Sequence, residues 1–96
     1  MNIKTKEILN ILQEECAEVI QAVSKCDRFG IDNFKPGKPK TNREHLAEEL
    51  GDLQAMINLC IKFDLVGSEQ ISIAADNKIA KLKKWSTIFE SEYEQN

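Results

Sequence analysis

The chain has 96 residues, a formal net charge of −3 and 42% hydrophobic residues, which fits one domain with a small core. An acidic chain has no cationic field of the kind that holds a nucleic-acid duplex, so duplex binding is disfavoured while a free nucleotide remains compatible. The amino terminus lacks a signal-peptide core and no apolar run reaches membrane-spanning length, so we expect a cytoplasmic protein with no membrane partner.

The first predicted element is a long amphipathic helix over residues 5–29. Apolar residues recur there at three- and four-residue intervals, without an internal proline or glycine. Gly30 supplies a stop, and residues 30–40 contain both prolines of the chain together with lysines and turn formers. We therefore expect a loop between Gly30 and Lys40.

The second and third helices are predicted over residues 42–63 and 68–85. Thr41 and Glu44 have the spacing of a capping box, which marks the start of the second helix. Apolar residues then repeat at helical intervals in both segments, with a short turn between them. Residues 86–96 are expected to be helical or frayed.

These elements predict an all-α fold, because no strand-like alternation is sustained anywhere. We expect a single domain over residues 1–96, built as a long helical hairpin plus a third helix. A short chain with a two-sided apolar first helix leaves apolar surface uncovered. A homodimer or homotetramer that completes a four-helix-bundle core is therefore expected.

The cysteines are odd in number and have no CxxC spacing, which is typical of free thiols in a reducing compartment. Cys16, Cys26 and Cys60 all fall within helical patterns. We expect them to be buried core thiols rather than redox or zinc groups.

Two acidic strings inside the predicted helices carry the chemistry. They are Glu14-Glu15-Cys16-Ala17-Glu18 and Glu48-Glu49-Leu50-Gly51-Asp52. In each string two acids three residues apart face apolar neighbours, whereas the acid before them faces polar ones. In an antiparallel hairpin, residues near 18 and near 53 reach about the same level, so the inward acids of both strings can converge. The predicted cluster is Glu15, Glu18, Glu49 and Asp52.

Converging carboxylates repel one another and lose hydration, which proton uptake or a bound cation relieves. Oxygen ligands without thiolate or imidazole favour Mg²⁺, with Mn²⁺ as a substitute. The alternative is that these acids form solvated helix faces with ion pairs. The chain has no Glu-x-x-His of di-iron bundles, and His45 is interpreted as a polar residue on the helix surface.

The pattern EExxE on one helix followed by EExxD on the next closely resembles the MazG-like all-α nucleoside triphosphate pyrophosphohydrolase superfamily. The strings Arg28-Phe29-Gly30 and Asn42-Arg43-Glu44-His45-Leu46 are similar to its small single-domain, phage-type members. The resemblance covers about residues 8–85. It implies an enzyme that cleaves a nucleoside triphosphate between its α and β phosphates, leaving a monophosphate and pyrophosphate.

The resemblance also implies roles for particular residues. Glu15, Glu18, Glu49 and Asp52 would hold magnesium. The outward acids Glu14 and Glu48 are candidates to take the proton of the attacking water or to orient a ligand.

Basic residues on the third helix contact the polyphosphate in this family, and Lys78 and Lys81 match that region. Asn77 is a candidate contact to a sugar hydroxyl or a phosphate. Alternatively, these lysines favour the carboxyl end of a helix through its dipole and make its surface soluble.

The nucleobase pocket is harder to place. Phe29, Phe34 and Trp85 could stack on a base, although aromatic residues at helix ends and in loops more often fill a core, which is the expectation here. The basic loop suits a lid over phosphates, or its prolines and lysines serve rigidity and solubility alone. Two other functions stay open: a non-catalytic helical interaction module or nucleotide sensor, and a phosphoribosyl-ATP pyrophosphohydrolase or related branch.

Overall fold

The computed structural model describes residues 1–34 and 36–90, which form three α-helices. The helices are α1 (Ile3–Phe29), α2 (Asn42–Lys62) and α3 (Ser68–Trp85). No strand forms in these residues, although Phe34 and Thr41 make an isolated antiparallel bridge. The predicted all-α class is confirmed.

The chain divides into two compact units. The first, Met1–Leu65, contains α1 and α2; the second begins at Val66 and contains α3. In the first unit, Ile8 near the start of α1 packs with Met56 and Cys60 near the end of α2, which makes the two helices an antiparallel hairpin.

Helix α1 begins two residues before the expected Thr5, because Asn2 caps it. The Asn2 side-chain oxygen accepts a hydrogen bond from the Thr5 backbone N–H at 2.7 Å. The helix ends at Phe29, as expected, because Gly30 takes a positive φ of 97° while its N–H still bonds to the Cys26 carbonyl at 3.0 Å. At this φ a side chain would strain the backbone, so the turn favours glycine; a Cβ would also lie 2.8 Å from the Asn33 side-chain nitrogen.

The capping box predicted at the start of α2 is confirmed. The Glu44 backbone N–H donates to Thr41 Oγ1 at 3.1 Å, and Glu44 Oε1 accepts from the Thr41 backbone N–H at 3.2 Å. Helix α2 ends at Lys62 with Phe63 as its C-cap, and Asp64 then takes a positive φ of 60° to turn the chain.

In the second unit, α3 begins at Ser68, where the Gln70 side-chain oxygen accepts from the Gly67 N–H at 3.0 Å. It ends at Trp85, and the Ser86 N–H bonds to the Leu82 carbonyl at 2.9 Å. Residues 86–89 leave the helix in a bend and a turn, and Glu90 is again helical. The rest of the expected helical or frayed segment, residues 91–96, lies outside the described residues.

The hairpin core is small. Its buried apolar side chains among the described residues are those of Ile8, Ala22, Met56 and Cys60. Of the cysteines, Cys60 is buried and Cys26 half-buried, but Cys16 is exposed, so the expectation that all three are core thiols was wrong for Cys16. The part of α1 that carries Cys16 packs only one side against other residues, because a two-helix layer covers only one side of each helix.

Polar contacts, some of them partly buried, join the loop end of the hairpin. Asn42 is 3% exposed, and its side-chain nitrogen donates to the Gly30 carbonyl at 2.9 Å. Its own carbonyl accepts from the Cys26 thiol at 3.5 Å. Asp32 and Arg43 add a two-pronged ion pair at 2.8 and 3.2 Å across the loop. These contacts fix both ends of the loop.

None of the helices in residues 1–34 and 36–90 combines the length and the apolarity needed to cross a membrane.

Candidate metal centre

Helix α1 places an acid in the middle of its buried face. Ile8, Glu15 and Ala22 are seven residues apart, so they lie along one side of the helix. Ile8 and Ala22 are buried, and Glu15 between them is half-buried. The helix therefore presents the Glu15 carboxylate toward the packed interface rather than toward open water.

Helix α2 repeats this arrangement. Asn42, Glu49 and Met56 are also seven residues apart, and the two outer residues are buried. The Glu49 side chain is only 13% exposed. Asp52, one turn further along α2, is exposed at the margin of the same face.

The hairpin brings these acids together. One carboxylate oxygen each from Glu15, Glu49 and Asp52 lies within 4.8 Å of the other two. Two oxygens bound to one Mg²⁺ are at most about 4.2 Å apart, twice a bond length of 2.1 Å. The donors are all hard oxygens, so the set fits a divalent cation of the Mg²⁺ class after small side-chain rotations.

The electrostatics of the cluster favour a bound positive charge. Partial burial raises the pKa of Glu15, and repulsion from Asp52, Glu49, Glu18 and Glu14 raises this pKa further. A proton or a cation relieves both effects. A dication relieves them at neutral pH, where most carboxylates are ionised.

The structure therefore assembles three of the four predicted ligands. Glu18 is exposed and lies outside the group of three, although it is near enough to repel Glu15. A residue three positions along a helix is turned by about 60° from the starting face, which carries Glu18 off the buried side of α1. On α1 it is thus Glu15 that lies with Glu49 and Asp52.

The predicted catalytic acids are both exposed. Glu14 directly precedes Glu15 on α1, and its charge reaches the cluster. Glu48 forms an ion pair with Lys40 from the loop. The hydrogen bond from Lys40 and the charge of Glu48 raise the pKa of Lys40, which keeps the ammonium group charged.

Two residues on the face of α2 that carries Glu49 were undervalued from the sequence. His45, interpreted as a surface residue, is half-buried with its Nε2 3.9 Å from Glu49 Oε1. The sequence could have indicated this contact, because His45 lies four residues before Glu49 and thus one turn away on the same helix. Asn42 precedes Glu49 by seven residues, a spacing that marks it as a member of the buried face.

The predicted substrate contacts Asn77, Lys78 and Lys81 lie on α3 in the second unit, and all three are exposed. They are thus free to meet a ligand.

The aromatic residues expected to fill a core do not do so. Phe29 is 55% exposed, Phe34 61% and Trp85 79%. Phe29 ends its helix and Phe34 lies in the loop, where a single hairpin layer offers no second layer to cover them. Phe29 and Phe34 instead line a pocket of about 440 Å³ with Lys25, Asn33, Pro36 and Asn42.

The comparison with protein families matches residues 4–85 to the MazG nucleotide pyrophosphohydrolase domain. Because the match spans most of the chain, this chain belongs to the MazG family, and membership implies a hydrolase that acts on nucleotides. Searches of curated proteins and of solved structures found no match.

The raised pKa of Glu15 leads to a prediction for the metal-free protein. The folded state holds the Glu15 proton more tightly than the unfolded chain does, so stability falls as pH rises from the ordinary value of 4.5 through the folded pKa. Glu15→Gln has no charge to gain, so it avoids this fall in folding stability. In a chelator at pH 7 we expect Glu15→Gln to melt at a higher temperature than wild type, with the difference shrinking toward pH 4.

The melts are followed by circular dichroism at one protein concentration, with Glu7→Gln as the control. Glu7 is exposed on the same helix two turns earlier, and it does not contribute to the Glu15 pKa. An unchanged or lower melting temperature for Glu15→Gln at pH 7 would contradict the predicted repulsion.

Proposed function

We propose that this protein is a Mg²⁺-dependent pyrophosphohydrolase that cleaves a nucleoside triphosphate between its α and β phosphates. Water adds across that anhydride bond, leaving the monophosphate and pyrophosphate. The observation that carries the proposal is the convergence of Glu15, Glu49 and Asp52 within 4.8 Å in a chain of the MazG family. Mn²⁺ is the expected substitute cation.

Glu15, Glu49 and Asp52 would hold the metal, with Glu18 as a fourth ligand reached by side-chain rotation or through water. When bound, the cation supplies charge neutralisation for the phosphate oxygens and lowers the pKa of a coordinated water. The half-buried positions of Glu15 and Glu49 restrict their side chains, so they enter the site already oriented.

The proton of the attacking water needs an acceptor beside the cluster. We assign this role to Glu48 or Glu14, which are each adjacent in sequence to a ligand and exposed enough to exchange protons with solvent. In the ligand-free protein Glu48 is held by Lys40, so its release is part of its use as a base.

Binding of the polyphosphate and sugar is assigned to Lys78, Lys81 and Asn77. Lysine ammonium groups bind phosphate as point charges, and an amide can donate to a hydroxyl or phosphate oxygen. We propose that residues 1–96 act as one MazG-like domain, since the family match runs through both compact units.

Two other functions compete with this proposal. A nucleotide sensor would bind the metal–nucleotide complex without turnover, and a phosphoribosyl-ATP pyrophosphohydrolase would prefer that substrate over ordinary triphosphates. Both would use the same acidic cluster, so turnover and substrate competition distinguish them.

Release of pyrophosphate from a panel of nucleoside triphosphates tests the activity. We expect turnover with Mg²⁺ and its loss in a chelator. Glu49→Gln and Asp52→Asn keep the side-chain shape but remove the charge, and each should lower kcat/KM by at least about 100-fold, since even groups that only orient a ligand contribute 10- to 100-fold.

The matched control is Glu7→Gln, the same change on an exposed position of α1. It should leave kcat/KM unchanged. Mg²⁺-independent turnover, or equal activity of wild type and Glu49→Gln, would refute the proposal. Binding of a nucleotide without any pyrophosphate release would favour the sensor.

We also propose that the protein is a homodimer or homotetramer whose helices complete a four-helix-bundle core. Helix α1 carries a second apolar stripe of Leu9, Cys16, Ile20 and Val23, spaced by seven, four and three residues. All four are exposed in the single chain, Ile20 by 69%. A stripe of this kind fits packing against another helix.

Ile20→Lys tests the proposed assembly, because a charge in a packed helix interface is strongly disfavoured. We expect light scattering after size exclusion to show a smaller species than wild type. Gln21→Lys, an identical charge on the neighbouring exposed residue, should keep the wild-type mass. A monomeric wild-type protein at micromolar concentration would contradict the assembly.

A further inference from the structure

A pocket of about 350 Å³ lies between the loop and the first two turns of α2. Its lining residues are Lys38, Pro39, Lys40, Asn42, His45 and Glu48. Two ammonium groups and one carboxylate line the pocket, so it is locally positive in a chain of net charge −3. A basic pocket in an acidic protein favours an anionic ligand.

The pocket borders the carboxylate cluster directly. His45 lines the pocket, and its Nε2 is 3.9 Å from an oxygen of Glu49, which belongs to the cluster. Glu48 lines the pocket as well and is the residue before Glu49. A ligand in the pocket would therefore lie next to any group held by the cluster.

Side chains rather than backbone amides would have to bind the anion. The start of a helix often binds phosphate through free N–H groups. Here the N–H groups of Asn42 and Arg43 already donate to the carbonyls of Asn33 and Ile31 at 2.8 and 2.7 Å, and that of Glu44 donates to the Thr41 hydroxyl. The lysines are the remaining strong donors.

Lys40 is held by a contact that an anion can replace. Its ion pair with Glu48 is about half exposed on both sides, with side chains 51% and 49% accessible. Exposed pairs of this kind contribute little, because water screens them. A phosphate group with more than one negative charge is a stronger partner for an ammonium group than one carboxylate.

We propose that this pocket receives the β and γ phosphates of the substrate, with Lys40 moving from Glu48 to the phosphates and Lys38 supporting it. The inference rests on the proposed function, whose site it completes. Binding of the phosphates would release the Glu48 carboxylate from its ion pair with Lys40.

The test measures binding of inorganic pyrophosphate with Mg²⁺ by titration calorimetry, so that no turnover is required. Lys40→Ala should weaken binding about tenfold or more, equivalent to about 1.4 kcal/mol, and Lys38→Ala should weaken it less. Lys6→Ala is the control, because Lys6 is an exposed lysine near the start of α1, at the opposite end of the hairpin from the loop. It should bind pyrophosphate as wild type does.

A second pair of variants separates direct binding from simple neutralisation of Glu48. Glu48→Gln should bind pyrophosphate more tightly than wild type, because it frees Lys40. In that background Lys40→Ala should still weaken binding about tenfold relative to Glu48→Gln alone. If Lys40→Ala has no effect once Glu48 is neutral, Lys40 acts only on Glu48 and the proposal is overturned.

The two proposals fail in different ways. If pyrophosphate binding depends on Lys40 but the protein shows no turnover, the proposed phosphate pocket stands and the proposed hydrolase activity is refuted. If the protein hydrolyses nucleotides but Lys40→Ala changes neither its pyrophosphate affinity nor its KM, the proposed hydrolase activity stands and the proposed phosphate pocket is refuted. A wild-type protein that does not bind pyrophosphate at millimolar concentration would also overturn the pocket.

Discussion

The main physical constraint on this structure is the close approach of carboxylates in the middle of a helix hairpin. Glu15 from α1 and Glu49 from α2 occupy the positions where apolar residues would normally meet, and Asp52 adds a third charge. Like charges at an interface oppose its formation, as the raised pKa of Glu15 indicates. The fold tolerates this because contacts on both sides fix the hairpin. Ile8, Met56 and Cys60 pack at one end, and Asn42 bonds to the loop at the other.

The hairpin also explains why basic residues lie close to the carboxylate cluster. The loop that closes the hairpin is fastened to the start of α2, so its lysines lie beside the first turns of that helix. The carboxylate cluster and the basic pocket are thereby adjacent without any long-range element. The proposed hydrolysis would use both, the cluster to hold the metal and the pocket to hold the charged substrate. The weak core of the single chain is consistent with a second copy covering the remaining apolar stripe of α1.

Much of this follows from the sequence. Periodicity predicts the all-α class, the Thr41–Glu44 box places the start of α2, and Gly30 ends α1. The acidic strings identify Glu15, Glu18, Glu49 and Asp52 as candidates for one cluster, and the structure brings three of them together. The hairpin register could not be read from the sequence, because it depends on contacts such as the hydrogen bond from the Cys26 thiol to the Asn42 backbone carbonyl. The sequence therefore did not show that Glu15, rather than Glu18, would lie with Glu49 and Asp52. The pairing of Lys40 with Glu48 was also hidden, since periodicity does not describe the path of a loop.

Exposure of Cys16, Phe29 and Phe34 was missed because helix patterns show that a face is apolar, not whether one chain covers it.

We propose that Glu15, Glu49 and Asp52 together coordinate one divalent cation. A crystal structure of the protein with Mn²⁺, analysed by anomalous scattering, tests this most directly. We expect an anomalous peak for one manganese ion, with an oxygen from each of the three side chains within about 2.0–2.6 Å of it. A peak bound only by other residues, or crystals grown in millimolar Mn²⁺ with no peak between α1 and α2, would contradict it.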